Sequence, residues 1–219
     1  MREMRVTGRG RVFVKPDRIR LMLTMTDVKK DYDKAIREAS EKSEELQKAF
    51  KGCGFQPEDL KTVNFSVDAE YTGYSDKNGN WKQRFVGYRF NQTLKIEFPL
   101  DNELLGRILY ALAKSGVKSE FRIQYTVKDA EACRNELLGN AVRDAKEKAN
   151  VLAEASGVKL GMIMTVDYSF GTVDIYSEPV NFRAMKAEAC CEDSGAYGMN
   201  IVADDIQLDD NVTVCFEII

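Results

Sequence analysis

The chain has 219 residues, 44% hydrophobic and 31% charged, with a net charge of -3. That composition suits one large or two small globular domains and gives no global drive toward nucleic acid or anionic membrane. It contains no histidine, which excludes Ser-His-Asp and Cys-His nucleophiles and every histidine-ligated zinc or iron site.

The first strand is predicted over residues 4–14, where Met4, Val6, Val12 and Val14 alternate with Arg5, Thr7, Arg9 and Arg11. Gly8 and Gly10 fall on its apolar face and allow a bend or a close neighbour. Gly8-x-Gly10 is not a dinucleotide fingerprint, because position 13 is Phe13 and a strand continues where a helix would have to start. Lys15-Pro16-Asp17 reads as a turn, and Ile19, Leu21, Leu23 and Met25 mark a second strand that would pair with the first as a hairpin.

A helix follows from about Asp31 to Lys51. Tyr32, Ala35, Ile36, Ala39, Leu46, Ala49 and Phe50 form its apolar stripe, with Asp31 as N-cap and Gly52-Cys53-Gly54 as its stop. Two strands come next, one carrying Val63, Phe65, Val67, Ala69 and Tyr71, the other Tyr88, Phe90, Gln92, Leu94, Ile96 and Phe98. Asn78-Gly79 between them is a hairpin-turn signal, and the arms would extend beyond the sheet as a β-ribbon bearing Tyr71, Tyr74, Trp81 and Phe85.

A second helix starts near Asp101 or Asn102, with Leu104, Leu105, Ile108, Leu109 and Leu112 on one side and Gly116 at its end. After a strand with Phe121, Ile123, Tyr125 and Val127, Asp129 caps the longest helix, which ends at Gly157. Its buried row reads Cys133, Leu137, Ala141, Ala145, Ala149 and Leu152. Met162, Met164, Val166, Tyr168 and Phe170 mark another strand. Residues 171–203 carry no clear pattern, and Ile206, Leu208, Val212, Val214, Phe216 and Ile218 mark the last strand.

The fold class is therefore α+β: a hairpin, a βαββαβ core in split βαβ (ferredoxin-like) order, then a long helix and two strands. The expected organisation is one domain over 1–219, divisible into a core of about 17–128 and a second part of about 129–219 that packs with strand 4–14.

Several local motifs resemble the SIMPL-domain family, also called YggE-like. They are the opening Val6-Thr7-Gly8-Arg9-Gly10-Arg11-Val12 with Pro16-Asp17, the pair Gly87-Tyr88, and the stretch from Ala132-Cys133-Arg134-Asn135 to Ala155-Ser156-Gly157. The closing Val212-Thr213-Val214-Cys215-Phe216-Glu217-Ile218 completes the set. The resemblance implies an α+β domain with a mixed or antiparallel sheet, ring-like or channel-like homo-oligomers in some members, and links to stress responses and to a signalling kinase. It brings no catalytic residues. Many bacterial members are exported. Here Met1-Arg2-Glu3-Met4-Arg5 leads into strand-like sequence, so the expectation is a cytoplasmic protein, or an exported one if a leader was trimmed. No apolar run approaches the ~20 residues of a membrane helix, so no membrane insertion is expected.

The first twenty residues carry Arg2, Arg5, Arg9, Arg11, Lys15, Arg18 and Arg20, whereas the chain after Lys186 has no cation and holds Asp204, Asp205, Asp209, Asp210 and Glu217. Complementary ends predict strand pairing within the fold or head-to-tail contacts between subunits. The paired aspartates lack the alternation and glycine of a calcium loop. Cys53, Cys133, Cys190, Cys191 and Cys215 are odd in number with no C-x-x-C, so no disulfide framework is expected and free thiols fit a reducing compartment. Cys190-Cys191, beside Glu192 and Asp193, reads as a pair of unreactive thiols.

No catalytic residue, cofactor or metal ligand is assigned. Tyr71, Tyr74, Trp81 and Phe85 form the candidate interface, since aromatic residues concentrate at interface centres. The function expected is a non-enzymatic, self-assembling scaffold or binding protein. The alternatives are a small adaptor that captures another protein through the ribbon 71–88 and, more distantly, an enzyme using carboxylates or a metal.

Overall fold

A computed structural model describes residues 2–75, 77–168, 175–177, 180–181 and 201–219. The chain is α+β, and the described residues form three α-helices and two sheets. It divides into two compact units, Met1–Asp17 with Tyr125–Ser177 and Ala203–Ile219, and Arg18–Gln124 with Glu178–Val202.

In the first unit, β1 (Glu3–Val14), β6 (Leu160–Tyr168) and β8 (Ile206–Ile218) form a sheet of order β1-β8-β6, antiparallel throughout. The two ends of the chain thus pair with each other, Glu3 standing opposite Glu217 and Val14 opposite Ile206. The charge complementarity of the ends is used here: Arg9 and Arg11 both place Nε on Asp209 Oδ1, at 3.1 and 3.0 Å. The expected hairpin between the first two strands does not form. β1 and β2 belong to different sheets, because the apolar face of β1 finds its complement in Val212, Val214 and Phe216 of β8.

Helix α3 (Ala130–Ala155) covers this sheet. Asp129 caps it by accepting from the Ala132 amide at 2.9 Å. Leu137, Ala141, Ala145, Ala149 and Ala153 form its buried row at strict i, i+4 spacing. Leu152, placed in that row by the sequence reading, lies one residue off it and is exposed. The helix sits so close that a Cβ on Gly8 would overlap the Ala141 carbonyl oxygen and the Ala145 nitrogen, and one on Gly10 the Leu137 carbonyl oxygen. Those glycines are packing glycines. Two polar side chains of α3 also satisfy the open edge of β1: Asp144 accepts from the Arg9 amide at 2.6 Å, and Asn140 donates to the Arg11 carbonyl at 3.1 Å.

The second unit contains β2 (Arg18–Lys29), β3 (Lys61–Ser75), β4 (Trp81–Pro99), β5 (Glu120–Thr126) and the short β7 (Val180–Asn181), in the order β3-β4-β2-β5-β7. One face buries Ile19, Leu21, Leu23 and Met25 of β2 with Phe90, Leu94, Ile96 and Phe98 of β4. Helix α1 (Tyr32–Lys51) packs there through Ala35, Ala39, Leu46 and Phe50, beside α2 (Asn102–Lys114) with Leu105, Ile108, Leu109 and Leu112. Tyr32 and Ile36, also assigned to the α1 stripe, are largely exposed. Asp101 caps α2, accepting from the Glu103 and Leu104 amides at 2.9 and 3.0 Å. Asp31 occupies the α1 N-cap position without a capping bond and instead pairs with Lys34 Nζ at 2.6 Å.

Candidate functional site

β2 is shorter than β3 and β4, and its last pair with β4 is Lys29 opposite Tyr88. Beyond that point β3 and β4 continue as a two-stranded ribbon, Tyr71–Ser75 opposite Trp81–Phe85, closed by a turn in which Gly79 has φ 81°. A two-stranded hairpin alone is marginal in water, so the ribbon depends on its cross-strand side chains.

Those side chains are aromatic on one face. Tyr71 stands opposite Phe85, ring centroids 5.6 Å apart at 69°; Phe85 meets Tyr88 at 5.2 Å and 71°, and Tyr88 meets Tyr32 at 5.5 Å and 84°. Edge-to-face pairs of this kind contribute about 0.5–1.5 kcal/mol each beyond area burial. Trp81, opposite Ser75, lays its six-membered ring over Gly73, where a Cβ would overlap the indole. The outer face of that indole is open, and Trp81 is 72% exposed. Tyr71 and Phe85 are 56% and 44% exposed.

Strand alternation sorts the four residues singled out from the sequence. Tyr71, Trp81 and Phe85 share a face. Tyr74 stands opposite Lys82 on the other, next to the pair Thr72 and Arg84. The sequence reading grouped all four without sorting the faces, although period two along each arm separates Tyr74 from Tyr71. It also missed Tyr32 and Tyr88. Tyr88 follows Gly87, where the Lys29 carbonyl approaches too closely for any Cβ. An irregularity between Glu70 and Tyr71 shifts the register there. At this root Arg89 grips Glu70 with two nitrogens, at 2.7 and 2.5 Å, and holds that carboxyl below its ordinary range.

Little else among the described residues offers chemistry. No group of three or more Cys, Asp or Glu is placed to hold a metal ion, and no helix is long and apolar enough to cross a membrane. The Cys53, Cys133 and Cys215 thiols are each pushed up, first by burial; Asp129, Glu136 and Asp17 add to the effect at Cys133, and Glu3 at Cys215. Raised thiols are poor nucleophiles. Cys190 and Cys191 lie outside the described residues.

The likeness that the opening, middle and closing motifs suggest holds over nearly the whole chain. Residues 4–216 match SIMPL, a protein of unknown function (DUF541). The chain belongs to the SIMPL family. Among SIMPL relatives, it is 28% identical over 162 residues to the 26 kDa periplasmic immunogenic proteins of Brucella melitensis biotype 1 and Brucella abortus. That alignment takes in 74% of this chain and spans 64% of the length of either relative. It is 24% identical over 213 residues to the uncharacterized protein YggE of Edwardsiella ictaluri, 97% of this chain and 85% of that one.

Proposed function

We propose that this SIMPL chain is a non-enzymatic scaffold or binding protein that assembles with copies of itself through the aromatic face of its ribbon. The observation that carries the reading is the exposure of Tyr71, Trp81 and Phe85 on one face of an arm that lies beyond β2 and has no core beneath it. Aromatic anchors on a flat surface are what interface centres are made of. The two compact units serve as subdomains of a single SIMPL domain. The periplasmic names of the Brucella relatives support the exported alternative over a cytoplasmic one. A stress-linked role rests on family resemblance alone.

The test is solution mass by light scattering behind a sizing column, at two protein and two salt concentrations. A discrete mass of many 24.8 kDa subunits is expected. Trp81→Ser combined with Tyr71→Ser should reduce it to the monomer while the far-UV circular dichroism stays unchanged. A wild-type monomer under every condition overturns the reading. A double variant that assembles like the wild type moves the interface off the ribbon.

A further inference from the structure

At the end of β4 away from the ribbon, the sheet breaks a rule that it keeps elsewhere. Along its polar face the directly opposed side chains are compatible: Arg20 Nε reaches Glu97 Oε1 at 2.7 Å, Thr24 meets Thr93 at 3.4 Å, and Thr26 donates to Asn91 at 3.4 Å. Asp68 stands opposite Arg89. Lys61 of β3, however, stands directly opposite Lys95 of β4. Directly opposed residues hold their Cβ atoms about 5 Å apart on one face, and like charges there destabilise the pair.

Both lysines line one cleft of about 190 Å³, together with Arg18, Asp59 and Glu97. The two carboxylates are already engaged. Asp59 Oδ2 accepts from the Gln56 amide at 2.8 Å, and Glu97 Oε1 accepts from Arg20 Nε at 2.7 Å and Lys95 Nζ at 3.5 Å. Among the described residues no carboxylate pairs with Arg18 or Lys61. Three cations (Arg18, Lys61, Lys95) and two carboxylates (Asp59, Glu97) line the cleft, and Glu97 is shared with Arg20. The lining therefore carries a surplus of one positive charge, in a chain whose net charge is -3. A local rule broken against stability is where a functional site is expected, and walls of one sign concentrate counter-charge between them.

We propose that this cleft binds a doubly charged tetrahedral oxyanion, a phosphate or sulfate group carried by a small soluble molecule. The cations reach the cleft from three adjacent strands, β2, β3 and β4, so three separate side chains can each take a different oxygen of the guest. That arrangement suits an anion with oxygens in several directions better than a single planar carboxylate, which one guanidinium fork satisfies. A phosphate group carries about -1.5 to -2 at neutral pH, opposite in sign to the surplus. The site is independent of the ribbon and of any assembly through it.

The experiment compares inorganic phosphate and pyrophosphate with chloride at matched ionic strength, so that general screening is the same in every arm. Thermal unfolding and calorimetric titration are read on the wild type, Lys61→Met and Arg18→Gln. The wild type should gain melting temperature in phosphate beyond chloride. Relieved of the opposed charge, Lys61→Met should melt about 1–3 °C higher than wild type in chloride, lose the phosphate-specific shift and bind at least tenfold more weakly. Arg18→Gln should lose the shift as well. The proposal is overturned if phosphate and chloride stabilise the wild type equally, if either variant keeps the full phosphate shift, or if Lys61→Met melts lower than wild type in chloride.

Discussion

Both β1 and β3 place glycine where something comes too close for a Cβ, and the two cases differ in what comes close. Under α3, Gly8 and Gly10 face helix backbone: the Ala141 and Leu137 carbonyls and the Ala145 amide nitrogen. On the ribbon, Gly73 faces the far end of one side chain, the Trp81 indole. A helix held by five buried residues along its length cannot retreat from a single methyl group. An exposed indole can rotate away. The first arrangement belongs to the fold, and the second holds a ring flat where a partner can reach it.

This contrast orders the expected effects of mutation. Gly8→Ala should be the most damaging, by about 3 kcal/mol or more, since overpacking against backbone forces the helix off the sheet; urea unfolding measures it, and a loss under about 1 kcal/mol would show that α3 yields. Ala145→Leu attacks the same seam from the helix side, where Ala145 is fully buried, and should destabilise by about 1–3 kcal/mol in the same assay. Gly73→Ala should change stability by less than about 0.5 kcal/mol yet shift the emission of Trp81, the single tryptophan of the chain. An unchanged spectrum would mean that the ring does not rest on the glycine.

The smallest effect concerns the ion-pair cluster near the ribbon root. Asp27 accepts from Lys42 Nζ at 2.9 Å and from the Val28 amide at 2.8 Å, and pairs with Lys29 at 3.3 Å. Partial burial works against its charge, but these partners hold the carboxyl at about 2, below the ordinary 3.8. Because the folded value is the lower one, Asp27 stabilises the fold above about pH 4, and that contribution fades as acid is added from about pH 4 to 2. Asp27→Asn should flatten the acid limb of the stability curve in that window. An unaltered acid limb would show that the cluster contributes nothing to folding.

Local rules made much of this legible in advance. Asp101 and Asp129 are caps because a carboxylate just before an apolar helical repeat meets free amides. Asp31 sits at the right position but is drawn away by Lys34 three residues on, a competitor that cap rules do not weigh. The ribbon arms were legible from alternation and from Asn78-Gly79. The sorting of Tyr74 to the face opposite Trp81 was available from the same alternation, whereas the partnership of Tyr88 with Tyr32 depends on a tertiary contact between β4 and the start of α1. The misread hairpin has a similar cause. Adjacent strands usually pair, and the true partner of β1 is at the other end of the chain. Arg9 and Arg11 against Asp209 held the clue, because charge complementarity operates at any sequence distance.

That pairing of the chain ends sets an order of events during synthesis. β1 is finished at Val14, and the strand it needs begins at Ile206. At about 5–20 residues per second the wait is about 10–40 s. Since β8 is the middle strand of its sheet, a ribosome stalled before Ile206 would hold a nascent chain with two outer strands and nothing between them. The sheet of β1, β8 and β6 can close only once β8 has emerged.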